Sequence, residues 1–222
     1  MGHPRRTGRR ALRLLLAVAV VTVVVVVLGV LAVRGGDGEP DADAGAGASP
    51  APAEPTPLAD LDTTTLAVAR ASFCDAVTDE TVAAALDGSP TRSAAYDDGE
   101  QVRLVRGTED VAHEYGCLWR SGDVIARAWV FAPPVTPERA RELARETRRT
   151  EGCERLRDAA DYGVRSVALV CDTPRGPVVS HRGLFGDAWL TCTLTAPEST
   201  DRDELLERAD LYCSGVAQAA SA

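Results

Sequence analysis

Residues 122–133 read GDVIARAWVFAP and residues 186–197 read GDAWLTCTLTAP, two stretches that match at an offset of 64. Each opens on Gly-Asp, closes on Ala-Pro, and meets a threonine soon after, at Thr136 and Thr200. Gly-Asp suits a hairpin turn, and the residues that follow suit a strand. Proline has no N–H for the ladder and ends it. The threonines then open helices. Thr136-Pro137 sets a capping hydroxyl before proline at the first helical position, and Thr200 with Asp203 resembles a capping box. Strand positions Val124, Ala126, Ala128 and Val130 align with Ala188, Leu190, Cys192 and Leu194. Side chains alternate along a strand, so each set shares one face, expected to be the face that the helices cover.

Outward from these stretches the pattern repeats. Ala140, Leu143 and Ala144 form an apolar stripe after Thr136; Leu206, Ala209, Cys213 and Val216 form one after Thr200. Two further strands precede each Gly-Asp, at 101–106 and 114–121 and at 164–171 and 177–184. A short helix over 79–87 starts at Thr78 and stops at Gly88. The expected fold is α+β, in the order α-βββ-α-βββ-α, with one antiparallel sheet or two and the helices on one face.

The chain ahead of this domain has a different character. Residues 14–33 are uninterrupted and apolar, preceded by Arg5, Arg6, Arg9, Arg10 and Arg13. Twenty residues at about 1.5 Å of helical rise span roughly the 30 Å hydrocarbon core of a bilayer. The run exceeds the usual length of a signal-peptide core, and Val30 and Ala32 make a poor cleavage site, so an uncleaved signal-anchor is expected. No cysteine follows the run closely enough to be lipidated, and the paired arginines read as a basic n-region rather than a twin-arginine signal. Basic residues before the run place the N-terminus in the cytoplasm and everything after it outside. Residues 34–63 are rich in acids, Ala, Gly and Pro, with little to bury, and read as a self-repelling spacer. The expected organisation is a cytoplasmic tail 1–13, a membrane helix 14–33, a disordered linker 34–63 and an extracytoplasmic domain 64–222.

Six of the 24 basic residues precede Gly35 and seven of the 33 acids fall in the spacer. The outer domain is left with 18 basic against 26 acidic residues, a net of −8. Nucleic acid is not a partner for such a surface. Every basic residue except the histidines is arginine, and asparagine is absent, the mark of a high-GC genome rather than of guanidinium chemistry. Without lysine there is no Schiff-base nucleophile and no Walker-type phosphate loop; without asparagine there is no N-glycan acceptor. No cofactor is expected.

Cys74, Cys117, Cys153, Cys171, Cys192 and Cys213 all lie beyond the anchor, in an oxidising compartment. No two are closer than 18 positions, which argues against zinc pairs and Cys-x-x-Cys redox sites and for three disulfides. Fifteen pairings are possible and spacing does not choose among them. The element order favours 74–117, 153–171 and 192–213, which join neighbouring elements.

Catalytic patterns are thin. His113 and His181 are the only imidazoles beyond the anchor, and no nucleophile elbow, His-Glu-x-x-His helix or calcium loop is present. The acid pairs Asp97-Asp98 and Glu109-Asp110 read as solvated turns, and the arginines of 139–149 as a solvated helix face. The alternate strand face is more informative. It carries Ile125, Arg127, Trp129 and Phe131 in one half and Trp189, Thr191, Thr193 and Thr195 in the other. Arg127, Trp129, Phe131 and Trp189 are the candidate ligand-binding residues, for a peptide, a glycan or a partner domain. The competing interpretation is a second buried layer or packing against the other half, since aromatics in strands usually belong to a core.

Cys74-Asp75, the short helix ending at Gly88, and Cys117-Leu118-Trp119 resemble an uncharacterised family of actinobacterial cell-envelope domains of the lipoprotein type. The likeness covers roughly residues 70–145. It implies a 74–117 disulfide and an envelope location, and no known activity. The chain departs from that family in lacking the lipidated cysteine and in carrying the second cysteine-rich half. The functional expectation is a membrane-anchored extracytoplasmic domain that binds or assists an envelope protein or glycan without catalysis. The alternatives are an envelope hydrolase using His181 and a structural subunit of a membrane complex.

Overall fold

The two Gly-Asp turns each close a hairpin, and the hairpins are copies of one another. In the computed structural model, which describes residues 56–105 and 108–221, β4 (Glu114–Ser121) pairs with β5 (Val124–Phe131), and β8 (Gly176–Phe185) pairs with β9 (Ala188–Thr195). Cys117 stands opposite Ala128 in the first hairpin; adding 64 to both numbers gives His181 opposite Cys192 in the second. Gly122 and Gly186 turn them at φ 57° and 65°, left-handed values that glycine adopts at no steric cost. β5 and β9 lie side by side and antiparallel, with Ala128 facing Cys192. The two residues that the offset equates are therefore direct partners, and a pseudo-twofold axis passes between them.

The remaining strands extend this centre. β1 (Arg92–Tyr96) flanks β4; β7 (Val164–Thr173) flanks β8; and the short β6 (Cys153–Arg155) closes the far edge. The result is one seven-stranded antiparallel sheet in the order β1-β4-β5-β9-β8-β7-β6. β2 (Gln101–Val105) and β3 (Thr108–Val111) form a separate two-stranded ribbon between β1 and β4. The strand expected at 101–106 thus belongs to this ribbon. Its place in the sheet is taken by β1, an exposed edge strand of sequence RSAAY whose weak apolar pattern hides it.

Three helices complete the described residues: α1 (Asp79–Leu86), α2 (Pro137–Thr147) and α3 (Arg202–Ala220). Thr78 and Thr136 cap α1 and α2 as the sequence predicts, accepting from the N–H of Thr81 and of Arg139. α3 is capped by Asp201 rather than Thr200; its carboxylate accepts from the N–H groups of Asp203 and Glu204. The disulfides are Cys74–Cys117, Cys153–Cys171 and Cys192–Cys213, the pairing that the element order favours.

The helices do not share a face. α1 and α3 pack on the side of Ala126, Ala128, Val130, Leu190, Cys192 and Leu194, all fully buried. α2 crosses to the opposite side and packs Ala140 and Ala144 against Val167, Leu169, Leu184 and Trp189. The run Val167-Ala168-Leu169-Val170 explains why. It is apolar without alternation, as a strand covered on both faces must be. Order also starts earlier than the spacer boundary suggests. Leu58 is buried in the core and the Thr63 hydroxyl donates to the Asp161 carbonyl. The tail 1–13, the apolar run 14–33 and the spacer up to residue 55 lie outside the described residues. Among the described residues, 56–105 and 108–221, no helix is long and apolar enough to cross a membrane.

Candidate functional site

α2 covers only the β7–β8 side of its face. Among the described elements no helix lies over the other half, where β1, β4 and β5 display alternate side chains. Strand register places Tyr96, Gly116, Trp129, Thr191 and Arg182 in one row across this face, and Leu118, Arg127, Thr193 and Ser180 in the next. Ile125, Arg127, Trp129 and Phe131 are each half-buried, presenting part of their surface to solvent. The Arg127 guanidinium sits 5.8 Å from the centroid of the Trp129 ring, a cation–π arrangement that orients both.

Tyr96 is fixed beside them. Its ring leans over Gly116, where a Cβ would come within 2.2 Å of the ring, so only glycine leaves room. Its hydroxyl donates to Glu114 Oε1 at 2.5 Å. Burial, and then the Glu114 carboxylate, raise the Tyr96 pKa, while the charge of Arg127 works against the shift. The open half-face therefore joins aromatic surface to an ordered carboxylate–phenol–guanidinium group.

Of the four binding candidates, the structure places Arg127 and Trp129 on the open half, packs the half-buried Phe131 of the same strand against the α2-covered cluster at its border, and separates Trp189. Trp189 is 2% exposed beneath α2 and belongs to the second core. Its removal from the candidate surface is a correction with a simple cause: the face is split, and α2 covers the half that holds Trp189. A residue the sequence pattern passes over joins the site instead. Arg182 lies on β8 in the same row as Trp129, on the far side of Thr191. The repeat equates it with Leu118, so an arginine stands where the first copy has leucine. That substitution is a signal present in the sequence.

His181 faces the other way, into the α1/α3 core. It is 0% exposed, packs edge-on to Tyr162 at 5.9 Å, and holds Nε2 3.1 Å from Asp210 Oδ1, out of line for a hydrogen bond. Ser180 projects to the opposite face, so this histidine and its neighbouring serine do not meet. Asp210 borders a cavity of about 610 Å³ together with Arg155, Arg157 and Leu206. His113 is exposed, 3.9 Å from Asp98. Among the described residues no cluster of three or more ligand-type side chains is placed to hold a metal ion.

No family model, curated protein or solved structure matches this chain.

Burial also raises the pKa values of Tyr162 and Tyr212 well above the ordinary phenol value. An unfolded tyrosine ionises near 10 while these three remain protonated in the fold. Above pH 10 the native state holds more protons than the unfolded state, so stability falls as pH rises. Alkaline titration followed at once by tyrosinate absorbance and by circular dichroism is expected to show most phenol ionisation coinciding with unfolding. Ionisation of all four tyrosines near pH 10 with the fold intact would contradict this.

Proposed function

We propose that this chain is a single-pass membrane protein with a cytoplasmic N-terminus, whose extracytoplasmic domain is a non-catalytic binding or accessory module of the cell envelope. The apolar run 14–33 behind a cluster of arginines supports the anchor, and six paired cysteines suit an oxidising compartment. The likeness to envelope lipoprotein-type domains points to the same location. The partner, an envelope protein or a glycan, docks on the open half-face of Tyr96, Leu118, Arg127 and Trp129, with Phe131 at its border. The observation that carries this is the split face: tryptophan and arginine stand together on open sheet, with Phe131 packed at the border of the adjoining half that α2 covers. Aromatic and arginine side chains are the residues that most often dominate binding energy in such patches.

The test uses the full-length protein in detergent as bait for envelope extract, beside its Trp129→Ala variant. Retention of the partner is expected to fall about tenfold or more, with the melting temperature unchanged, as for a hot-spot residue. Equal retention by both proteins would reject the surface. Protease added to spheroplasts should release the domain by cleavage within residues 34–55; full protection would reject the topology. The hydrolase alternative on His181 gains no support from a ring without access to solvent.

A further inference from the structure

Arg182 is largely withdrawn from water and has no counter-charge. Its Nε makes no hydrogen bond within the described residues, and its Nη1 reaches the Thr147 hydroxyl only at 3.4 Å. Desolvation lowers its pKa. Two positions back on the same face, Ser180 is 1% exposed and its Oγ is also without a partner. Across β9 from this pair stand Arg127 and Trp129, with Thr193 and Thr191 between. Neither Arg127 nor Arg182 enters any of the ion pairs found among the described residues.

A guanidinium held out of water is unfavourable until an anion completes it. The geometry here supplies what an anion needs. Strands spaced about 4.8 Å apart put the two arginines roughly 12 Å apart at their Cα atoms, on either side of β9. Arg127 lies against Trp129 and the Arg182 Nη1 reaches toward Thr147. Both side chains are long enough to swing onto one group across that gap, and the hydroxyls beneath can donate to its oxygens. From this we infer that the polar centre of the α2 face binds one oxyanion, a phosphate or carboxylate, with Arg182 and Arg127 as the clamp and Ser180 and Thr193 as the floor. The site deepens the proposed binding surface, and so rests on that reading: the oxyanion would belong to the ligand that lies against Trp129. A domain with net charge −8 would then recruit an acidic ligand through one local basic patch.

A structural role for Arg182 is the competitor, since a cation beside the last turn of α2 interacts favourably with the helix dipole. The two roles predict opposite behaviour. The full-length protein is melted in sodium chloride, sodium phosphate and sodium acetate at matched ionic strength and pH. Phosphate, acetate or both are expected to raise the melting temperature by about 2–4 °C over chloride. The Arg182→Met and Arg127→Gln variants are expected to lose most of that increment. In chloride, Arg182→Met should melt at or above the wild-type temperature, because it removes a buried charge without a partner. An increment with phosphate alone assigns a phosphate, and one with acetate alone assigns a carboxylate. The inference is overturned if neither anion shifts the wild type, if Arg127→Gln keeps the full increment, or if Arg182→Met melts lower in chloride yet keeps it. These readouts need no partner. Their failure leaves partner capture through Trp129 standing, and failure of capture leaves the anion increment standing.

Discussion

Replacing Cys192 and Cys213 together by alanine is expected to lower the stability of the folded domain by about 3–5 kcal/mol. The bridge closes a loop between residues 21 apart, which restricts the unfolded chain. It is also the only disulfide whose two cysteines are both fully buried, so its loss leaves a void as well. Its position raises the effect further. Cys192 faces Ala128 at the pseudo-twofold axis, and Cys213 fastens the 19-residue α3 to that point. In a domain of this size each kcal/mol shifts the melting temperature by about 2–4 °C, so a fall of roughly 10 °C is expected by calorimetry. Removing Cys153 and Cys171 should cost less, because that bridge joins β6 to β7 at the sheet edge and both cysteines are partly exposed. The reverse ranking would show that the centre of the sheet does not carry the fold.

Trp189→Ala is expected to cost about 3–5 kcal/mol, whereas Trp129→Ala should change stability by less than about 1 kcal/mol. Both tryptophans lie on the α2 face of adjacent central strands. Only Trp189 is roofed by α2, with Val135, Ala140, Ala144 and Leu184 around it. Denaturant unfolding of the two variants compares them on one scale. A large loss at Trp129 would make the open half-face part of the core and remove the surface on which the proposed function depends.

The hairpins were legible because their turns and strand ends use residues with few other uses: Gly-Asp where φ is positive, Ala-Pro where the ladder stops. The caps of α1 and α2 were legible for the same reason. β1 was not, since Ala94 and Ala95 on an exposed edge carry no burial pattern for periodicity to detect. The side chosen by α2 depends on what already occupies the other face, which is a tertiary fact. Its one local trace is the unbroken apolar run of residues 167–170. Half of the candidate site could be read from alternation along β5, which put Arg127, Trp129 and Phe131 together. Arg182 could not be joined to them that way, because its neighbour in the row is set by β8 pairing with β9 rather than by spacing along the chain.

The most direct test of the central claim is oxidative footprinting of the full-length protein, in native membranes and after purification in detergent. Trp129 and Trp189 serve as paired reporters. The split-face account predicts that Trp129 is modified readily in the purified protein and is protected severalfold in native membranes, where its partner is present, while Trp189 stays unmodified in both. Equal modification of Trp129 in the two preparations, or modification of Trp189 at a similar rate, would contradict it.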